Sequence, residues 1–382
     1  MTIAPAREPV RVSIVMPCLN EAETVATCVT KARDWLSSAG IPGEILVVDN
    51  GSTDRSPELA AAAGAQVISE PKRGYGNAYL RGFAEARGEV IVMGDADDTY
   101  DFSRLDDLIR PLDDGYDLVV GNRFSGGIGR GAMPWAHRYI GSPLINLLIR
   151  RFIGIRIGDS QSGFRAFTRR AYERLRLRSG GMEFASEMIV SAAREGLQVA
   201  EVPAPYAIRL GESKLNTVRD GWRHLRFLLL AAPNFLFVLP GLALSGMGLA
   251  VILASFAAPG GIEFGSIRWQ PIFASTILLA IGVNALLFGL IAKAHLVRRG
   301  LHRDDAYSRV FRRFFRLEWM LAAAAILIMI GGILDIGLFA VWASGSRHDL
   351  GIQVAALAQT LIIVGANVGM AGFLAVALDE RS

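Results

Sequence analysis

Two carboxylates spaced by one residue, Asp95 and Asp97 in the run Gly94-Asp95-Ala96-Asp97-Asp98, follow the strand-like segment Glu89–Met93. At a strand end such a pair can aim at one hard divalent cation, which takes oxygen ligands and bridges phosphate oxygens. The chemistry that suits it is compensation of the charge that builds on a departing diphosphate. A second acidic strand end, Val47–Asp54 (VVDNGSTD), would set Asp49 against the base or ribose of a nucleotide; the same residues also make ordinary turns. Arg73–Gly82 (RGYGNAYLRG) is glycine-rich and opens a helix. Its spacing is not the G-x-G-x-x-G dinucleotide fingerprint, so it serves either a close approach of backbone to ligand or helix packing.

These residues need elements to hold them. Short apolar runs at Val10–Met16, Glu44–Val48, Ala65–Ile68, Glu89–Met93 and Asp117–Val120 read as buried strands. Helical stretches fall between them, from Asn20 to about Ser38 and near 55–64, 74–87 and 103–114. Strand and helix in alternation predict an α/β layer fold with a mainly parallel sheet. Ligands of such sheets bind at the carboxyl ends of the strands. Those ends carry Pro17–Glu21, Asp49–Asp54, Asp95–Asp98 and Gly121–Arg123, all polar.

The second part of the chain is of another kind. Over 382 residues the hydrophobic share is 52%, the charged share 20% and the mean hydropathy +0.34. Such apolarity excludes a disordered chain, and two cysteines exclude a disulfide scaffold. A net charge of +4 does not point to nucleic acid. Residues 1–224 hold 28 Lys and Arg against 28 Asp and Glu, whereas residues 225–382 hold 12 against 8. Four apolar stretches, 234–257, 271–294, 317–343 and 352–378, are each long enough to cross a hydrocarbon core. The segment 293–316 between the second and third has 8 Lys and Arg against Asp304 and Asp305. By the positive-inside rule this places it, both termini and the first part of the chain in the cytoplasm; Met1–Pro9 is polar and reads as no signal segment. Asn284 and Asp335 fall inside spans, where packing or capping is the simpler role. Gly331–Gly332 and the Gly365/Gly369 spacing suit close helix contact. Residues 219–232, with Arg219, Trp222, Arg223 and Arg226, read as an interfacial helix.

Several motifs in one order, IVMPCLNE, VVDNGSTD, GDADD, GNRF, SQSGFRAF, GMEFASE and RLGESKL, resemble the inverting family-2 glycosyltransferases with a GT-A nucleotide-sugar domain. Within them the likeness is to dolichol-phosphate mannose synthases and polyprenyl-phosphate glucosyltransferases, over about residues 11–232. The resemblance implies a cytoplasmic GT-A domain at 1–218, the interfacial helix at 219–232 and a transmembrane domain at 233–382. It implies a plasma-membrane enzyme that moves a hexose from GDP-mannose or UDP-glucose to a polyprenyl or dolichyl phosphate with inversion, using Mg or Mn. Pro17, Asn20, Glu21, Asp49, Asn50 and Ala96 would line the nucleotide pocket, and Asp95 and Asp97 would serve the metal and diphosphate. Arg123, Arg138 and Ser142 would hold the acceptor phosphate, and Arg209 and Lys214 the donor diphosphate. Asp159 and Gln161 are candidates for sugar contacts, and Glu187 for an acidic group near the acceptor. Many relatives have an Asp where this chain has Asn50.

The residue types fit that chemistry directly. A polyprenyl phosphate is anionic near neutral pH and needs positioning more than a base. Arginine forks bind phosphates bidentately. Two rivals are a processive polysaccharide synthase and a non-catalytic lipid-sugar transporter subunit. The first carries Q-x-x-R-W, and Gly221-Trp222-Arg223 has the wrong order for it; the second has no use for the full set Asp95, Asp97, Arg123, Arg209 and Lys214. Membrane lipid is a partner in every reading, and a homo-oligomer stays open.

Overall fold

Runs of valine, isoleucine and leucine bounded by Pro, Gly and Asp form the strands, because branched side chains pack well on a pleated surface. A computed structural model describes residues 10–211, 217–257, 260–264, 267–298, 316–345 and 351–379. The chain divides into two units, the first ending at Leu228 and the second starting at Leu229.

The first unit is a seven-stranded sheet with helices on both faces. Its strands are β1 (Val12–Cys18), β2 (Gly43–Asp49), β3 (Gln66–Ser69), β4 (Val90–Met93), β5 (Leu118–Asn122), β6 (Arg165–Thr168) and β7 (Val199–Pro203). They lie in the order β3-β2-β1-β4-β6-β5-β7. All pairings are parallel except those of β6, which runs against β4 and β5. The helices are α1 (Val25–Ser38), α2 (Ser56–Ala63), α3 (Tyr75–Glu85), α4 (Asp106–Asp113), α5 (Arg123–Gly126), α6 (Ser142–Ile153), α7 (Arg169–Leu175), α8 (Phe184–Glu195) and α9 (Thr217–Ala231), the last running past Leu228. Alternate residues of β1 show how the core divides. Val12, Ile14, Met16 and Cys18 join α1 and α4 in one cluster. Val15 points the other way: with Val48 it packs so tightly on Gly82 of α3 that a Cβ there would come within 2.4 Å of it.

Three sequence expectations need correction. The helix after β1 begins at Val25, not Asn20, because Asn20 sits at φ 55 in a loop whose bonds run to the β2 end. The strands β6 and β7 carry Arg165 and Glu201 in short segments, so no apolar run announces them. A hairpin, Ile262–Phe264 with Ile267–Trp269, stands between the first two apolar stretches, where no strand was predicted.

Among the described residues of the second unit four helices are long and apolar enough to cross a membrane: Asn234–Ala257, Pro271–Val297, Leu317–Ala343 and Gly351–Leu378. These agree with the four stretches read from the sequence. Small residues let them approach. A Cβ on Gly331 would lie 2.6 Å from the Ala358 carbonyl oxygen, and one on Gly365 2.9 Å from that of Ala324. Most of the basic segment 293–316 lies outside the described residues.

Candidate active site

Strand register assembles the site. Cys18 of β1 stands opposite Asp49 of β2, and Val15 opposite Met93 of β4. The segments that leave these strands therefore emerge side by side. β6 runs the other way, with Arg165 beside Met93 and Val120, so the residues before it, Gln161–Phe164, arrive at the same edge. The result is a cleft of about 380 Å³ whose charged lining is Glu21, Asp95, Asp97, Arg73, Arg123, Arg209 and Arg223. Pro17, Asn50, Ala96 and Gln161 line it too.

The acidic pair lies at its centre. Asp97 is buried; its Oδ1 accepts from the Thr99 amide at 3.2 Å and the Thr99 hydroxyl at 2.6 Å. Its Oδ2 is 3.0 Å from Arg209 Nη1, and Arg209 Nη2 pairs with Glu21 Oε1. Asp95 Oδ1 accepts from the Tyr79 hydroxyl at 3.2 Å. Gly163 carries no side chain because a Cβ there would sit 2.8 Å from Asp95 Oδ2. Burial, and then the Asp97 charge, push the Asp95 carboxyl up to about 7. That is the signature of negative charge held out of water without enough compensation. Two carboxylates of this kind, in one cleft with four arginines, suit a hard divalent cation, although no cluster of three or more metal-binding side chains occurs among the described residues.

Arg123 is held firmly in place at the cleft wall. Its Nε and Nη2 donate to Asp159 at 2.7 and 2.8 Å, and its backbone amide donates to the same carboxylate at 3.1 Å. The guanidinium lies over the Tyr206 ring, 5.2 Å from its centre. This leaves Nη1 for the cleft. Asp159 has no exposed surface, so it orients Arg123 and is out of reach of a sugar. Gln161 is at the cleft wall, its amide nitrogen donating to the Ser160 and Ser186 hydroxyls at 3.0 Å each. Ser186 in turn bonds Nδ1 of buried His224, on α9, at 2.9 Å. Ser186 lies in the GMEFASE motif without a role legible there, and no motif marks His224; only the packing of α9 brings His224 to Ser186 and Gln161. Buried Arg165, in SQSGFRAF but given no role from the sequence, ties the loop before β6 to α8 through the Ser160, Ser162 and Ala185 carbonyls.

Other expected residues take supporting places. Asp49 closes the β2 turn by accepting from the Gly51 and Ser52 amides at 3.4 and 3.0 Å, and Asn20 accepts from the Thr53 amide at 2.7 Å. Neither is part of the cleft wall. Asn50 reaches the wall, but its amide is occupied: it donates to the Glu70 and Lys72 carbonyls and accepts from the Gly74 amide. Glu187 is buried and accepts from the Arg178 and Ser179 amides, which shapes the loop that packs on α3. A Cβ on Gly76 would lie 2.0 Å from the Ser179 oxygen, so that glycine serves packing, while Arg73, Gly74 and Tyr75 of the same run line the cleft. Arg138 stacks on Tyr139 at 5.4 Å, and Ser142 is buried at the start of α6; the structure does not bring either into the cleft. Lys214 lies outside the described residues.

The description "Glycosyl transferase family 2" matches residues 13–176, and "Glycosyltransferase family 2 C-terminal transmembrane region" matches 290–379. The low-salt glycan biosynthesis hexosyltransferase Agl6 of Haloferax volcanii is 38% identical over 375 residues, 96% of this chain and 89% of the relative. The chain belongs to glycosyltransferase family 2. This glycosyltransferase is an integral membrane protein with a GT-A-like, mostly parallel sheet domain. A dolichyl-phosphate hexose transferase of the same archaeon is 31% identical over 209 residues, 55% of this chain and 88% of the relative. Among solved structures, the glucosyl-3-phosphoglycerate synthase of Mycobacterium tuberculosis in complex with Mn2+, UDP-glucose and phosphoglyceric acid is 24% identical, with a TM-score of 0.48, over 58% of this chain and 79% of that one.

Proposed function

We propose that this glycosyltransferase moves a hexose from a nucleoside-diphosphate sugar to a polyprenyl or dolichyl phosphate, with inversion, on the cytoplasmic face of the membrane. One observation carries the reading: the acidic pair Asp95 and Asp97 shares a single cleft with four arginines, and one of these, Arg123, is locked by a buried carboxylate with a donor to spare. A reaction between two phosphorylated partners needs both sets. The names of the relatives, a hexosyltransferase and a dolichyl-phosphate hexose transferase, support the same class.

Asp95 and Asp97 would hold a divalent cation, which when bound offsets the charge on the leaving diphosphate. Arg209 and Arg73 would face the donor phosphates from the side of Glu21 and Asn50. Arg123 would hold the acceptor phosphate oxygen beside the anomeric carbon, and Gln161 would hold the sugar. Because the acceptor is already an anion, no side chain has to remove a proton; orientation supplies the advantage. Attack from the face opposite the diphosphate inverts the anomeric centre.

The acceptor's tail cannot leave the bilayer, so the cleft must reach headgroup height. Trp135, Tyr139, Ile140, Leu144 and Leu147 are exposed on one segment of the first unit, as is Trp222 on α9. That segment starts beside the cleft, where Gly129 bonds the backbone of Tyr206. Arg138, Arg150 and Arg151 accompany the apolar residues, the pattern of a surface that enters an anionic interface. The division into a catalytic domain at 1–218, an interfacial helix at 219–232 and a membrane domain belongs to the same proposal.

The test is one assay. Purified full-length protein is incubated with undecaprenyl or dolichyl phosphate, Mg2+ or Mn2+, and a panel of UDP- and GDP-sugars, and lipid products are read by mass spectrometry. A phosphate-linked glycolipid from one donor is the expected product. Transfer only to sugar hydroxyls would replace the reading with the processive class.

A further inference from the structure

Asp97 has two carboxylate oxygens, and both are occupied by the protein itself. Oδ1 is held by Thr99 through its amide and hydroxyl. Of the two, Oδ2 has the single partner among the described residues, Arg209 Nη1 at 3.0 Å, and is the Asp97 oxygen an incoming cation would take. On its other side Arg209 pairs with Glu21. Its Nε is buried and has no hydrogen-bond partner among the described residues, so this position leaves one donor of the guanidinium unsatisfied. The backbone before it is fixed: Tyr206 donates to the Gly127 carbonyl and Ala207 to the Thr99 carbonyl, each at 2.9 Å. A change of place therefore falls to the side chain, pivoting on Glu21.

We propose that Arg209 is a displaceable counter-ion of Asp97. With the cleft empty it neutralises the carboxylate and keeps a lone cation from binding well. When cation and nucleoside diphosphate arrive together, the cation takes Asp97 Oδ2, and the released guanidinium turns to the diphosphate, where its fork, Nε included, finds acceptors. Binding of the two ligands is thereby coupled through one side chain, which favours the loaded donor over free metal. The inference rests on the reading of Asp95 and Asp97 as cation ligands given above.

Mn2+ binding to the detergent-purified full chain, followed by the paramagnetic resonance signal of free Mn2+, tests it without any turnover. In the absence of nucleotide, Arg209→Ala should bind Mn2+ about tenfold more tightly than wild type, as expected if one ion pair of about 1.4 kcal/mol no longer competes. With saturating UDP or GDP the order should reverse, Arg209→Ala binding Mn2+ more weakly. Arg209→Lys, which keeps the charge and guards against loss of folding, should stay within about threefold of wild type without nucleotide. Arg81→Ala, which removes an exposed arginine of α3 paired with Glu85 and outside the cleft lining, should leave both states within about threefold. Equal affinity of Arg209→Ala and wild type without nucleotide overturns the proposal. Tightening by the same factor with and without nucleotide overturns it too, because that is plain electrostatics. If no variant binds Mn2+ in either state, the cation reading itself falls, and this proposal with it.

Discussion

Removing the carboxylate of Asp159 is the sharpest perturbation available. The Arg123–Asp159 pair is bidentate, with 10% of the arginine side chain and none of the aspartate exposed. Burial would push the arginine pKa down, but the neighbouring Tyr100 and the bonds to Asp159 outweigh it and hold the guanidinium charged. Deleting one partner of such a pair leaves a buried charge uncompensated, which costs about 3–5 kcal/mol. For a unit of this size each kcal/mol moves the melting temperature by about 2–4 °C, so Asp159→Ala should lower it by roughly 6–20 °C. The double variant Arg123→Met/Asp159→Leu removes both charges and should recover most of that loss, since an apolar pair of similar volume often matches a buried ion pair. It should nevertheless stay inactive, because the donor that faces the cleft is gone. Circular dichroism melting of the full chain in detergent gives the cycle, and hydrogen exchange of the peptides around β5 and β6 places the effect. A single variant that melts within about 2 °C of wild type, or a double variant no more stable than the single, would refute the argument.

Other consequences can be checked separately. Asp95, with its carboxyl pushed up to about 7, must lose a proton before it can bind a cation; Mn2+ affinity should therefore fall about tenfold per pH unit below that value and level off above it, and calorimetry showing constant affinity down to about pH 5 would exclude it. The same shift makes the metal-free fold less stable as pH rises from about 4 to about 7, because the folded chain is the better proton binder there. Asn50→Asp cannot donate to the Glu70 and Lys72 carbonyls; at about 1–3 kcal/mol for each unsatisfied group, it should melt at least 4 °C lower by about the same conversion, and an unchanged melt would mean the clamp is dispensable. His224→Ala releases Ser186 from Gln161 and should raise the donor KM about tenfold, or about 1.4 kcal/mol, while UDP or GDP alone binds as before; a loss confined to kcat would argue against a sugar-positioning role.

The sequence by itself determined a good deal. Hydropathy over windows of twenty residues is a local property, so the four spans and the split of charge between the two parts were legible in it. Strand-end composition is local too, which is why Asp95 and Asp97 and the Pro17–Glu21 turn stand out in the sequence. Fold class followed from the alternation of strand and helix, though β6 did not: four residues beginning with Arg165 make no apolar run, and a strand inserted against the direction of its neighbours exists only through them. What tertiary structure alone decided is which polar side chain faces the cleft and which holds another in place. Asp159, Glu187 and Asn50 look like ligands in a motif and prove to be occupied by Arg123 and by backbone groups. His224 looks like part of a membrane-proximal helix and proves to lie behind Gln161. The physical reason is separation along the chain. Arg209 and Glu21 are 188 residues apart, and whether a buried donor is satisfied depends on partners that only the folded sheet brings within 3 Å or so.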